Sequence, residues 1–298
     1  MTDTPEYVCD LEESQIPASE WIPTLKTNGD HYSGTTLEGE SRDQQVIDAA
    51  GNTPTWLRRW IPVTWEENGH TITVFTLPDY FCVGTDVDFV YPSMNPVSAE
   101  TLGAHIKAVL PTRKIVNQIY AAADKREEGH PMTPDQGYPY DDSMRYTSRW
   151  AINAAKIWES VNASPGIFLR GHKKVMVVSH GLEKKPSTKV PYQLYKLGFY
   201  GWSKSGQAPA QPLVNGSWAI QGPTVGGNMI AHEWWYDDYA HAAEFIHEDC
   251  VIDDVVMKVR DVTKDPELYK LVLDPPGWEY QGSPDKPLMF SSYHDLLP

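Results

Sequence analysis

The sequence predicts an α+β fold: a single mixed domain with a central sheet, three helices between residues 98 and 161, and irregular N- and C-terminal arms. Three observations carry this. Asn68-Gly69 separates two short strand-like runs and is a two-residue hairpin signal. Apolar residues recur at helical spacing across 98–161. Val175-Met-Val-Val178 is apolar at every position, as a strand covered on both faces requires. Strands lie on both sides of the helical block and do not alternate with the helices one by one, which argues against a βαβαβ parallel sheet. The boundaries follow: an arm over 1–55, the main domain over 56–274 and a tail over 275–298.

Residues 1–55 are polar, with little apolar periodicity. Trp21-Ile22-Pro23 is the segment suited to anchor this arm, and a short helix fits 42–50, ended by Gly51. Residues 60–65 and 70–77 pair across Asn68-Gly69. Pro78-Asp79 breaks the run, and 80–84 reads as another short strand. Ser98 suits a helix N-cap, with the helix running to about 109. Thr112 caps a second helix to about 125, with Ile115, Ile119 and Ala122 on one side. Residues 129–144 hold three prolines and two glycines and form a long loop, a feature associated with function in compact domains. The third helix covers 145–161, with Trp150, Ala154, Ile157 and Val161 aligned. Residues 193–202 read as a strand, and 250–298 as a tail with one helix near 266–273.

Lys plus Arg is 25 against 40 Asp plus Glu, a net charge of −15. Such a surface repels nucleic-acid phosphate and anionic lipid, so neither is an expected partner. Arg170, His172, Lys173 and Lys174 are a local basic exception, read either as a seat for an anionic group or as a solvated turn. Trp and Tyr number 11 and 16 against 7 Phe. Side chains with a flat apolar face and a polar handle suit sugars and peptides as well as cores. Three cysteines, Cys9, Cys82 and Cys250, form no framework. No stretch of about 18 apolar residues spans a membrane. The N-terminus lacks the basic start and apolar run of a signal peptide, so a cytoplasmic site of synthesis is expected, with non-classical export and self-association left open.

Candidate chemistry concentrates in 228–249, where His232, His241 and His247 are interleaved with Asp237, Asp238 and four aromatic rings. Three arrangements can be drawn. His232, Asp238 and His241 could ligate a divalent metal such as zinc, with His172 as a further ligand or acid. The spacing His-x5-Asp-x2-His matches no established zinc motif; His232-Glu233 begins one, but position 236 is Tyr. Ser179 with His180 or His241 and Asp238 could form a nucleophilic set, without the flanking glycines of a nucleophile elbow. Cys82 or Cys250 could act as a thiol nucleophile.

The chain also resembles a family of uncharacterised bacterial and phage-associated proteins over about residues 75–272. The resemblance is carried by Leu110-Pro-Thr-Arg-Lys-Ile-Val116, Gly171-His-Lys-Lys174, Tyr200-Gly-Trp202, Gln211-Pro-Leu213, His232 and Asp238-Tyr-Ala-His241. It implies no activity, but it groups His172, His232, Asp238 and His241; the family-like form has Ser-His-Gly where this chain has Ala240-His241-Ala242. The expected function is hydrolysis of a cell-wall peptide or glycan through these four residues, with or without a metal. The rival expectation is a non-enzymatic ligand-binding or structural protein whose aromatic residues form the contact surface.

Overall fold

Ala18, Trp21, Leu25, Val46, Ile47 and Ala50 fasten the polar N-terminal segment to the main core. The computed structural model describes residues 3–25, 42–139, 146–183, 199–201, 238–276 and 284–296. Helix α1 (Ala18–Trp21) buries Ala18 and Trp21, and α2 (Arg42–Asp48) buries Val46 and Ile47. Trp21 is therefore one anchor of the segment among several.

Strands β1 (Ile61–Glu67) and β2 (His70–Thr76) pair antiparallel in full register. Asn68 and Gly69 both take positive φ, 52° and 85°, the left-handed backbone that a tight hairpin turn needs. β3 (Val83–Gly84) and β4 (Phe89–Val90) form a small ribbon. Helix α3 (Pro96–His105) starts two residues before the position inferred for it. Asn95, not Ser98, is the N-cap; its side chain accepts the Ser98 N–H at 2.9 Å. The helix also ends early, because Lys107 takes positive φ and Ala108–Val109 leaves as β5. Helix α4 (Arg113–Ala122) is capped by Thr112 as expected, and Thr112 Oγ1 also donates to Val272 O. β6 (Lys125–Arg126) leads into the Pro-rich loop, and α5 (Thr147–Val161) buries Trp150, Ala154, Ile157 and Val161.

After α5 come β7 (Leu169–Arg170), β8 (Lys174–Met176), β9 (Phe199–Gly201), β10 (His241–Ala242) and β11 (Ile246–His247). The C-terminal part then forms β12 (Asp249–Ile252), β13 (Val255–Lys258), α6 (Val259–Lys264) and α7 (Tyr269–Val272). This second hairpin was read from the sequence as tail. Its turn, Asp253-Asp254, is built from two positive-φ residues.

Among the described residues the large sheet runs β13-β12-β2-β11-β5, with β1 on the far side of β2. A smaller sheet runs β10-β8-β9, parallel on one side and antiparallel on the other. The apolar strand at 175–178 is thus the middle of the small sheet, not a member of the large one. It is buried throughout, as its composition requires. One core joins the arm, α3, α5 and the small sheet, and a second lies between the large sheet, α4, α6 and α7. The fold is a mixed α+β arrangement. Among the described residues no helix is long and apolar enough to cross a membrane.

The chain's end is clamped to α3 by a buried carboxylate. Glu100 accepts the Tyr293 N–H at 2.9 Å and the His294 N–H at 3.3 Å. Burial pushes its carboxyl up from 4.5 to about 7, against the two amide donors and Arg260, with Asp295 adding to the rise. A raised acid binds its proton more tightly in the folded chain. Its contribution to stability is therefore complete below about pH 4.5 and is lost as the pH rises through about 7. Urea titrations of the wild type and Glu100→Gln at intervals from pH 4 to 8 should diverge in slope across that window. Parallel curves would show that Glu100 titrates normally.

Candidate functional site

Gly171 sets the geometry of the basic segment. Its φ of 102° turns the chain between β7 and β8, so that Arg170, His172, Lys173 and Lys174 all point into the protein. Each is at most 5 % exposed, so the segment is neither a solvated turn nor a surface seat for an anion. Buried charges require partners, and acidic and polar groups distant in the chain supply them.

Arg170 donates to Glu244 Oε1 at 2.7 Å, to Thr76 Oγ1 at 2.8 Å and to the carbonyls of Leu77, Pro78 and Leu169. His172 Nε2 lies 3.0 Å from Asp79 Oδ1, and Tyr91 donates its hydroxyl to Asp79 Oδ2 at 2.7 Å. The rings of Tyr80 and Tyr91 flank the imidazole. Desolvation lowers the His172 pKa, opposed by the Asp79 carboxylate. Its Nδ1 has no hydrogen-bond partner among the described residues.

Lys173 donates to Asn153 Oδ1 at 2.6 Å and to Tyr239 O at 2.7 Å. Burial drops its pKa from 10.5 to about 7, opposed by Asp238 and Asp79. Lysine is thus the electrostatic link between the two carboxylates. Asp238 and His241 shape one turn: Asp238 Oδ1 accepts the Ala240 N–H at 2.7 Å, and His241 Nδ1 accepts the Asp238 N–H at 3.1 Å. That turn delivers His241 to β10, opposite Lys174 of β8.

Of the four residues the sequence singled out, His172, Asp238 and His241 lie in one buried polar layer, at 1 %, 2 % and 0 % exposure. His172 joins it through Asp79, a residue the sequence reading passed over as a strand breaker. His232 and the aromatic run 234–236 lie outside the described residues. Asp238 Oδ2 and His241 Nε2 are 3.7 Å apart. Among the described residues no group of three or more His, Cys, Asp or Glu side chains is placed to hold a metal. Ser179 and His180 are buried at the entry of a short 3-10 turn. Burial raises the Cys82 thiol and pushes Cys250 up to about 12, which keeps both protonated and poor nucleophiles.

Solvent reaches a different part of the same network. The loop after β6 is bound to it from below: Met132 N–H donates to Tyr239 Oη at 2.6 Å, and Asn153 Nδ2 donates to His130 O at 3.1 Å. Above it opens a cleft of about 540 Å³ whose wall includes Glu127, Glu128, His130, Gln136, Lys156 and Ser160. Parallel pairing of β6 with β7 fixes its floor, and Glu127 N–H donates to Arg170 O at 2.9 Å. Glu127 Oε1 receives both His130 Nε2, at 2.9 Å, and Ser160 Oγ–H, at 2.6 Å. Asn153, Lys156 and Ser160 stand on successive turns of α5, so one helix face carries the buried anchor, the ammonium on Gln136 and the hydroxyl on Glu127.

The sequence reading missed Glu127, His130 and Ser160. A Glu and a His three residues apart in a Gly- and Pro-rich loop were the available signal, and only the docking of α5 makes them a site. Comparisons with family models, with curated proteins and with solved structures found no match to this chain.

Proposed function

We propose that the protein is a hydrolase in which Glu127 and His130 form the acid–base pair at the wall of the cleft, acting on a peptide or glycan of the cell-wall type. One observation supports this most: an imidazole in an open polar cleft with one nitrogen held by a carboxylate that is itself held by a second side chain. With Nε2–H given to Glu127, His130 Nδ1 is the nitrogen left to take a proton from water. Glu127 orients the ring, as the carboxylate does in other base–orienter pairs. Asp79, His172, Lys173, Asp238 and His241 then act from behind: they carry no substrate but hold Asn153 and Tyr239, and through them the loop. The lining mixes carboxylate, ammonium and amide, which suits a polar ligand, and the net charge of −15 disfavours a polyanionic one.

A second reading has its own support. Ser160 donates its hydroxyl to Glu127 and not to the imidazole, so among the described residues no side-chain nucleophile is aligned in the cleft. A cleft without a nucleophile is also what a non-catalytic binding protein presents. The two are separated by incubating the full chain with cell-wall fragments and following soluble product alongside calorimetric binding. Hydrolysis predicts product release that falls about 100- to 10,000-fold in His130→Gln and Glu127→Gln while the fold persists. Binding without product, weakened by the same variants, favours the second reading. Product release unchanged in both variants would remove the cleft from the chemistry.

A further inference from the structure

β13 closes the large sheet: among the described residues it pairs with β12 alone. Val255 and Val256 are 59 % and 57 % exposed, and as neighbours on a strand they project from opposite faces. The hairpin register decides which main-chain groups face outward. The turn has two residues, both with positive φ, so Ile252 and Val255 on either side of it form the hydrogen-bonded pair. Alternation then points the N–H and C=O of Val255 and Met257 at β12, and those of Val256 and Lys258 away from it. The hairpin is stiffened from the next turn. Asp253 Oδ2 lies 2.6 Å from His70 Nδ1, Asp253 Oδ1 accepts the Thr71 N–H at 2.9 Å, and Asp253 N–H donates to Thr71 O.

We propose that β13 is a self-association edge, pairing antiparallel with β13 of a second copy of this chain about a twofold axis at Val256. The phase of the outward groups leaves one register centred on the strand. Val256 meets Val256 of the second copy as a hydrogen-bonded pair, Val255 meets Met257, and Asp254 meets Lys258. Each contact off the axis occurs twice.

Charge argues for a second copy over an unrelated strand. The turn that leads into β13 is acidic, Asp253-Asp254, and the strand ends on a basic residue, Lys258. Two identical strands set antiparallel therefore join opposite charges at both ends, and opposite pairs across a ladder are favourable. Lys258 is held in place for this: its Nζ is 2.7 Å from both Glu248 Oε1 and Asp249 Oδ1. An ammonium has three donors, so one is left for Asp254 of the second copy. Exposed edges with apolar side chains are ready templates for such pairing.

Sedimentation equilibrium of the full chain over a wide concentration range tests this. The wild type is expected to dimerise reversibly. Val256→Asp places two carboxylates on the axis and should weaken the dimer about tenfold or more. Val256→Pro deletes only an outward-facing N–H, so the β12–β13 ladder survives while the dimer is lost. Asp254→Lys sets like charges opposite and should weaken it in the same direction. Circular dichroism and melting of each variant confirm that the monomer is intact. A wild type that stays monomeric throughout, or a dimer indifferent to both Val256 substitutions, overturns the proposal.

Discussion

Replacing Arg170 by Met should cost about 3–5 kcal/mol of folding stability, the range for removing one partner of a buried ion pair. Arg170 and Glu244 are 1 % and 0 % exposed, so neither charge has water as an alternative partner. Met matches the aliphatic volume of Arg but none of its donors. Thr76 Oγ1 and the carbonyls of Leu77, Pro78 and Leu169 lose their donor in the same step. Glu244 is already raised by desolvation, with Arg170 the main opposing influence, and its Oε2 has no hydrogen-bond partner among the described residues. Without Arg170 its carboxyl takes up a proton, which recovers part of the loss. The deficit of Arg170→Met should therefore shrink as the pH falls, and Arg170→Met/Glu244→Leu should be more stable than Arg170→Met alone. Urea midpoints for the three chains check this. A single mutant within 1 kcal/mol of the wild type, on the order expected of a surface pair, would show that the pair is hydrated.

Asp79→Ala is expected to be nearly as damaging, at about 3 kcal/mol or more, by the opposite mechanism. Here an acceptor is lost and donors are stranded. The Tyr80 N–H at 2.7 Å, the Tyr91 hydroxyl at 2.7 Å and His172 Nε2 at 3.0 Å all converge on this one carboxylate. Each buried donor left unsatisfied costs about 1–3 kcal/mol. Lys173 also loses one of the two carboxylates that favour its charged form. Tyr91→Phe is the control: it removes one donor to a carboxylate still satisfied twice over, and with it the acceptor of the half-buried Trp158 Nε1–H, so its cost should be about 1–2 kcal/mol. Equal losses from the two substitutions would place the effect in Tyr91 packing and not in the carboxylate. Since the layer holds Asn153 and Tyr239, Asp79→Ala should also loosen the 127–138 loop, which hydrogen exchange at Met132 N–H would register.

Sequence-based reasoning succeeded where a local rule has a local cause. The Asn68-Gly69 turn needs positive φ, which Gly readily supplies and Asn tolerates, and the Thr112 cap needs a hydroxyl facing the first helical amides. The apolar stripe of α5 needs only the 3.6 period. It failed at the β12–β13 hairpin because Asp-Asp is a weak turn signal, although the β-branched runs on either side of it were visible. It misplaced the start of α3 because Asn95 and Ser98 are both good caps, and the Pro at 96 was the feature that decides between them.

The sequence by itself determined most of the element types, the mixed α+β class and the buried character of 175–178. These follow from turn chemistry, periodicity and composition, which act over a few residues. Only the tertiary structure decided which side chains are buried and which meet. Arg170, His172, Lys173 and Lys174 read as a basic surface patch because their compensating carboxylates, Asp79, Asp238 and Glu244, are some 65 to 95 positions away in the chain. Glu127, His130 and Ser160 likewise come together only because β6 pairs with β7 and α5 docks beside the loop. A charge's environment is set by what packs around it in three dimensions, and no local pattern in the chain encodes that.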